Sequence, residues 1–257
     1  MKIMWVARFC WPQIQRATNS LARFVSKWEK IHDKKLHRLV CWTHHNRDLK
    51  MIGFIGDDPS VLELDMYTDA DLASDRSDMK STSGVFACLV GPHSFFPLSH
   101  SSKKQTCVSL STTEAETIAM LYGLKNIGLP MLCLWDKMLG RRMWINLRQD
   151  NQSTMMVVLT GKYPSLRHCS RTHGLDIAWL CYVILSDDVH LTDCITDKMA
   201  ADIFTKAFTV KPKWEQVLLL IGIVGDDILA NLRFTANNVT ITPPAPSTTK
   251  SSSSSSS

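Results

Sequence analysis

Long apolar runs are scarce in this chain. The longest candidate, Val217 to Val224, is far shorter than the roughly 20 residues that a bilayer-spanning helix needs. Met1 to Trp11 carries Lys2 and Arg8 around a short apolar stretch, without an h-region or a small-residue cleavage site. An intracellular protein with no membrane partner is therefore expected. Paired cysteines are missing too. The eight cysteines are scattered and none forms a C-x-x-C pair, which argues against a zinc ribbon and a disulfide scaffold. They are expected to be reduced and mostly buried. No internal repeat is visible, and neither charge dominates: 29 Lys and Arg against 24 Asp and Glu leave a net +5. That excess permits a polyanionic partner without demanding one. What is present is enough apolar material, 45% of 257 residues, for a sizeable core.

The pattern along the chain divides it. Residues 1–60 read as helical and basic. Leu21, Phe24, Val25 and Trp28 have the spacing of one helix face, and Ile31, Leu36, Leu39 and Val40 suggest a second helix. Lys27, Lys30, Lys34, Lys35, His37 and Arg38 give the pair a basic surface, either simply solvated or facing a nucleic-acid backbone. Residues 61–208 look mixed. Strands are expected at Val61 to Tyr67, Gly84 to Val90 and Ser94 to Leu98, with Cys107 to Leu110 extending the hairpin. Lys103 and Lys104 then fall in a loop. A helix capped by Ser111, Thr112 and Thr113 follows, broken at Gly128 and Pro130 and resumed from Met131 to Leu139. Next come a strand (Met143 to Leu147), a helix (Ser153 to Leu159), an apolar helix (Leu175 to Leu185), a strand (Val189 to Ile195) and a closing helix (Lys198 to Phe208). A meander followed by alternating elements implies a mixed α/β sheet covered by helices. Residues 209–239 form an extension of unassigned role. Residues 240–257, ending in seven serines, can bury nothing and read as a disordered tail.

Four acids stand where chemistry can use them. Asp69 follows the first strand, Glu116 lies in the first long helix, Asp150 ends a strand, and Asp202 lies in the closing helix. If they converge, their repulsion calls for a cation. Carboxylates without Cys or His favour Mg²⁺ or Mn²⁺, and two such ions about 3.5–4 Å apart suit phosphodiester hydrolysis, one activating water and one stabilising the leaving oxygen. Taken singly, each acid is as readily a helix cap or a turn residue. Glu114 and Glu116 both flank the apolar face of Ala115, Ile118 and Tyr122, and helical geometry does not choose between them.

Several motifs recur in a fixed order: Asp69-Ala70-Asp71, Lys80-Ser81-Thr82-Ser83-Gly84, Ser101-Ser102-Lys103-Lys104-Gln105, Leu110-Ser111-Thr112-Thr113-Glu114-Ala115-Glu116, Asp150-Asn151-Gln152-Ser153, Ser170-Arg171-Thr172, and Ala201-Asp202-Ile203-Phe204-Thr205-Lys206-Ala207. Together they resemble the ribonuclease H domain of Ty1/copia-type retrotransposon Pol polyproteins. Trp11-Pro12-Gln13-Ile14 and Leu21-Ala22-Arg23-Phe24-Val25 resemble the segment that joins reverse transcriptase to it. The resemblance covers about residues 11 to 208. It implies a ribonuclease H-like fold, a five-stranded mixed sheet flanked by helices and preceded here by a small helical segment. It implies a two-metal endonuclease, with Mg²⁺ or Mn²⁺, that hydrolyses the RNA strand of RNA–DNA hybrids and leaves 5′-phosphate and 3′-hydroxyl ends. The acidic tetrad falls on Asp69, Glu116, Asp150 and Asp202, the family pattern selecting Glu116 over Glu114. Lys103, Lys104 and Arg171 become nucleic-acid contacts, and a reverse transcriptase domain supplied elsewhere becomes a partner.

The departures lie beside the acids. Leu72 and His100 replace tryptophans of the family pattern, the segment after Ser170-Arg171-Thr172 reads His173-Gly174-Leu175-Asp176-Ile177, and His168 is shifted by one residue. An impaired remnant that only binds nucleic acid, or an interaction module, is therefore the alternative to an active nuclease. No Tyr-x-Asp-Asp motif marks a polymerase, and Gly56-Asp57-Asp58 and Gly225-Asp226-Asp227 read as surface turns. Cys41, His44 and His45 lack a second ligand pair for a structural metal. His168, Cys169 and His173 are expected near the active site, where a histidine assists product release in some relatives.

Overall fold

The computed structural model describes residues 2–73, 78–162, 166, 168–172, 176–229, 232–235 and 238–241. The serine tail and His173 lie outside them. In chain order the elements are α1 (Lys2–Phe9), α2 (Gln15–Ala22), α3 (Lys30–His45), β1 (Lys50–Met51), β2 (Glu63–Asp71), β3 (Thr82–Gly91), β4 (Ser94–Lys104), α4 (Thr112–Gly123), α5 (Leu129–Leu139), β5 (Ile145–Gln149), α6 (Gln152–Thr160), α7 (Cys169–Thr172), α8 (Ile177–Ile184), β6 (Val189–Asp193), α9 (Lys211–Leu220), β7 (Ile223–Val224), α10 (Asp226–Leu229), β8 (Leu232–Thr235) and β9 (Asn238–Ile241).

The central sheet has five strands in the order β4-β3-β2-β5-β6. β2, β3 and β4 pair antiparallel, while β5 pairs parallel with β2 and β6 parallel with β5. A three-stranded meander extended by two parallel crossover strands is the ribonuclease H-like mixed sheet, flanked by helices, that the motifs imply.

β3 explains why so much of the sheet is apolar. Its side chains alternate faces, yet every residue from Ser83 to Leu89 is buried. Val85, Ala87 and Leu89 join Leu64, Met66, Ile145, Leu147 and Val189 beneath Met120, Leu124 and Leu132 of the long helix. Phe86 and Cys88 point the other way, into Phe204, Val217, Leu218 and Ile221. The strand is covered on both faces, so it reads as a continuous hydrophobic run.

Several boundaries differ from the sequence expectation. β4 continues through Lys103 and Lys104, which pair with Ser83 and Thr82 rather than sitting in a loop. Pro97 does not end this strand, because β4 is a sheet edge and the register shifts opposite Ala87 and Cys88. Cys107 to Leu110 is a connection, not a strand. Gln105 holds it, its amide donating to Ser83 Oγ (3.0 Å) and the Ala115 carbonyl (2.9 Å) and its carbonyl oxygen accepting from Ser109 Oγ (2.8 Å). Gly128 and Pro130 do not break the long helix. A π-helical turn at Leu124–Gly128 carries it into α5 and takes up Pro130, which has no N–H to donate to the preceding turn. The resulting Thr112–Leu139 run is long and apolar enough to cross a bilayer by length and composition, a candidate the apolar-run count did not find. In this fold its Met120, Leu124, Met131 and Leu132 are buried against the sheet.

The closing helix is instead a pair of 3₁₀ turns, Thr196–Lys198 and Ala200–Phe204, interrupted by extended Met199. Leu21, Phe24, Val25 and Trp28 do not share a helix face. α2 stops at Ala22, Val25 is exposed, and Phe24 stacks on His32 of α3 with centroids 4.3 Å apart. The cysteines are all unpaired but not mostly buried: Cys88, Cys169 and Cys194 are buried, while Cys10, Cys41 and Cys133 are exposed.

The two ends of the described chain pack onto this body. β1 pairs with β7, and Trp42 of α3 meets Trp214 of α9 edge-on at 5.8 Å. Asn19 Nδ2 donates to the Ser102 carbonyl at 2.6 Å, and His100 Nδ1 lies 2.8 Å from Gln15 Oε1.

A candidate nuclease site of four carboxylates

The C-terminal half of β2 sets the first acid. Its alternation puts Asp65, Tyr67, Asp69 and Asp71 on one face. Asp65 is a structural ion pair: Arg148 Nε and Nη2 donate to it at 3.1 and 3.2 Å, and Asn146 Nδ2 at 3.0 Å. Asp69 lies four residues on, inside the strand rather than after it, and receives a different set of partners. Thr205 Oγ1 donates to its Oδ2, and Lys206 Nζ is 3.3 Å from its Oδ1.

The segment carrying those partners is seated on β3 at Gly84. A Cβ there would lie 2.7 Å from Thr205 Cγ2 and 2.8 Å from the Ala201 carbonyl. Ser102 Oγ of β4 donates to the Phe204 carbonyl at 2.6 Å. This close approach brings Asp202 to the end of β2. Lys206 Nζ is 2.7 Å from Asp202 Oδ1, so one ammonium bridges Asp69 and Asp202.

α4 supplies the third acid. Ser111 Oγ accepts from the Glu114 N–H at 3.1 Å and starts the helix. Glu114 and Glu116 are both buried, but they part company. Glu114 accepts from the Leu110 N–H at 3.0 Å and faces His168. Glu116 faces the Ala70 backbone, Asp69 and Asp150. The structure therefore separates the two glutamates that helical geometry could not. Asp150 comes from the turn after β5. Gln149 Oε1 accepts from the N–H groups of Asp150 (2.8 Å) and Asn151 (3.1 Å), and Asn151 Oδ1 caps α6 at the Thr154 N–H (3.0 Å).

Asp69, Glu116, Asp150 and Lys206 line one open cleft of about 440 Å³, together with Thr112 and Asn151 to Ser153. Burial raises Asp69, and Asp150 adds to this against the pull of Lys206 and Thr205. Burial and then repulsion from Asp69 hold Glu116 well above the usual carboxylate range. The same two causes push Asp202 up to about 6. Burial works to lower Lys206, but Asp69 and Asp202 outweigh it and hold it above its ordinary value. Among the described residues one ammonium stands among the four acids, which leaves the group short of positive charge.

A divalent cation fits this donor set. Among the described residues Glu116 Oε2 is buried without a hydrogen-bond partner, and the ligands are all hard oxygens. Lys206 and Thr205 are the partners that motif reading left out. The signal was available: Lys206 stands four residues after Asp202.

The expected nucleic-acid contacts fall on two elements, Lys103 and Lys104 on β4 and Arg171 on α7. Lys103 is exposed on the sheet edge, its Nζ 4.7 Å from the Tyr122 ring centroid. Lys104 is ion-paired with Asp78 at 2.5 Å and is largely covered. Arg171 is exposed on α7. A second cleft, about 530 Å³, lies between α2 and β4 and gathers Arg16, Arg23, Lys35, Lys103 and Lys104. Arg16 Nε donates to the Thr205 carbonyl at 2.5 Å, which joins this basic cleft to the acidic one. Of the basic residues expected in 1–60, Lys35 alone lines it, while Arg16 and Arg23 had not been singled out.

No family model matches the chain. Among curated proteins it is 27% identical over 218 residues to the retrovirus-related Pol polyprotein from transposon TNT 1-94 of Nicotiana tabacum, covering 82% of this chain and 15% of that protein. It is 37% identical over 112 residues to the corresponding polyprotein from transposon RE1 of Arabidopsis thaliana, covering 42% of this chain and 7% of that one. The chain thus spans a small part of the curated relatives it matches. Among solved structures, LC11-RNase H1 isolated from compost overlaps with a TM-score of 0.39 at 17% identity, over 56% of this chain and 92% of that one. Sequence likeness and strand order point the same way: the chain resembles the ribonuclease H-like part of Ty1/copia-type retrotransposon Pol polyproteins.

Proposed function

We propose that the chain is a divalent-metal-dependent endonuclease acting on the RNA strand of RNA–DNA hybrids. The observation that carries this reading is that Asp69, Glu116 and Asp150 line one open cleft while Lys206 bridges Asp69 and Asp202, so that among the described residues four acids from separate segments share one ammonium. Buried like charges are costly, and a fold retains them where a bound cation repays the repulsion.

Asp69, Glu116, Asp150 and Asp202 would hold two Mg²⁺ or Mn²⁺ ions. Bound there, such ions supply Lewis acidity to a phosphodiester and acidify a water. The chain's own groups prepare the place. Thr205 and Lys206 fix the Asp69 carboxylate, and the Gln149 cradle fixes the turn that carries Asp150. The basic cleft of Arg16, Arg23, Lys35 and Lys103 offers a track for a phosphate backbone beside the acids. Residues 1–60 then serve as the remnant of a reverse transcriptase connection that supplies most of this track. Recognition would rest on backbone shape and the RNA 2′-hydroxyl rather than base sequence.

The test is substrate choice. Purified chain with Mg²⁺ is offered labelled RNA–DNA hybrid, duplex RNA and duplex DNA. Cleavage confined to the RNA strand of the hybrid is expected. Salt-sensitive binding without turnover would replace the nuclease with a nucleic-acid-binding remnant, and absence of binding would leave an interaction module.

A further inference from the structure

We propose that Glu114, His168 and Cys169 form a binding site for a borderline-soft divalent metal of the Zn²⁺ type, separate from the four-carboxylate cleft. Each residue presents one ligand atom, and all three atoms lie within 4.8 Å of one another. His168 Nε2 is 3.3 Å from Glu114 Oε1 and 3.8 Å from Cys169 Sγ. Tetrahedral zinc with bonds of about 2.0–2.3 Å separates its ligand atoms by roughly 3.3–3.8 Å, so the existing spacing needs little adjustment. The donor set is carboxylate, imidazole and thiolate, which selects zinc-like ions over the Mg²⁺ that an all-oxygen site prefers.

The surroundings suit a bound ion. Glu114 is anchored, since its Oε2 accepts from the Leu110 N–H and its own N–H is capped by Ser111. Cys169 is buried, while the His168 side chain is 37% exposed and leaves an approach and a fourth position for water. Without an ion, burial and Glu114 push the Cys169 thiol up to about 12. A coordinated dication reverses that balance: the thiol releases its proton to solvent and the thiolate binds the metal. The ion would clamp α7 to the first turn of α4, two residues from Glu116. The site does not depend on the nuclease reading.

The test is titration of the reduced, chelator-stripped full chain with Co²⁺, followed by displacement with Zn²⁺. A thiolate-to-cobalt charge-transfer band is expected, saturating at one ion per chain and abolished by Zn²⁺. Cys169→Ser should remove the band. His168→Ala should weaken binding by at least the roughly 10–100-fold that losing even an outer-shell partner costs. Asp69→Asn should leave the band unchanged. Absence of the band in the wild-type chain, or its persistence in Cys169→Ser, would overturn the site and leave an ordinary His–Glu pair beside a buried cysteine. Should Cys169→Ser melt abnormally, His168→Ala decides, and undiminished affinity there would overturn the proposal equally.

Discussion

Asp202→Asn should stabilise the metal-free protein while removing its response to Mg²⁺. In the fold, burial and Asp69 push Asp202 up to about 6 from an ordinary 3.8. Below pH 4 the carboxyl is protonated whether the chain is folded or not, and it costs nothing. Between pH 4 and 6 the folded chain holds the proton that the unfolded chain has lost, so stability falls as pH rises. Above pH 6 the full penalty applies. At about 1.4 kcal/mol per pH unit, ionising Asp202 costs roughly 3 kcal/mol at neutral pH. Asparagine keeps the shape and discards the charge, and Lys206 retains Asp69 as its partner. For a protein of this size, 3 kcal/mol corresponds to about 6–12 °C in melting temperature. Thermal melts in chelator from pH 4 to 7.5 should show a gap between variant and wild type that opens across pH 4–6 and is largest at pH 7.5. Mg²⁺ should raise the wild type and leave the variant nearly unmoved. A variant that melts below wild type in chelator at pH 7.5, or a gap independent of pH, would refute the reasoning.

Three further perturbations probe the scaffold. Gly84→Ala places a methyl 2.7 Å from Thr205 Cγ2 and 2.8 Å from the Ala201 carbonyl, so it should cost about 1–3 kcal/mol in denaturant unfolding and displace the segment bearing Asp202. Unchanged stability and unchanged Mg²⁺ response would contradict that close approach. Arg148→Met should cost about 3 kcal/mol in the same assay by leaving Asp65 ionised and buried, and adding Asp65→Leu should restore most of the loss. His100, lowered to about 4 chiefly by burial, should weaken the fold as pH falls from 6.5 toward 4, by up to about 3 kcal/mol, and His100→Asn should flatten that dependence.

The sheet was legible because strand alternation and turn residues are local signals. Glu63–Asp71, Thr82–Gly91 and Ile145–Gln149 emerge within a few residues of their expected positions. The extent of β4 was not legible, because the polar run Ser99 to Lys104 carries no strand alternation of its own and is held by pairing with Thr82 to Ala87. Ala200–Phe204 read as an ordinary helix because its periodicity is helical. The segment is seated on Gly84, a contact across more than a hundred residues that local periodicity does not report. The acids were visible singly, but their convergence is a property of topology. The choice between Glu114 and Glu116 turned on which neighbours α4 meets: His168 for one, Asp69 and Asp150 for the other. Arg16 escaped notice because its importance lies in reaching Thr205 from α2.

Cleavage of a labelled RNA–DNA hybrid by the purified chain, wild type beside Asp69→Asn, bears most directly on the four-carboxylate site. The account predicts Mg²⁺-dependent cuts in the RNA strand with 3′-hydroxyl ends for the wild type. It predicts loss of at least two orders of magnitude in rate for a variant that is folded by its melting curve. No cleavage by the folded wild type, or equal cleavage by both proteins, would contradict it.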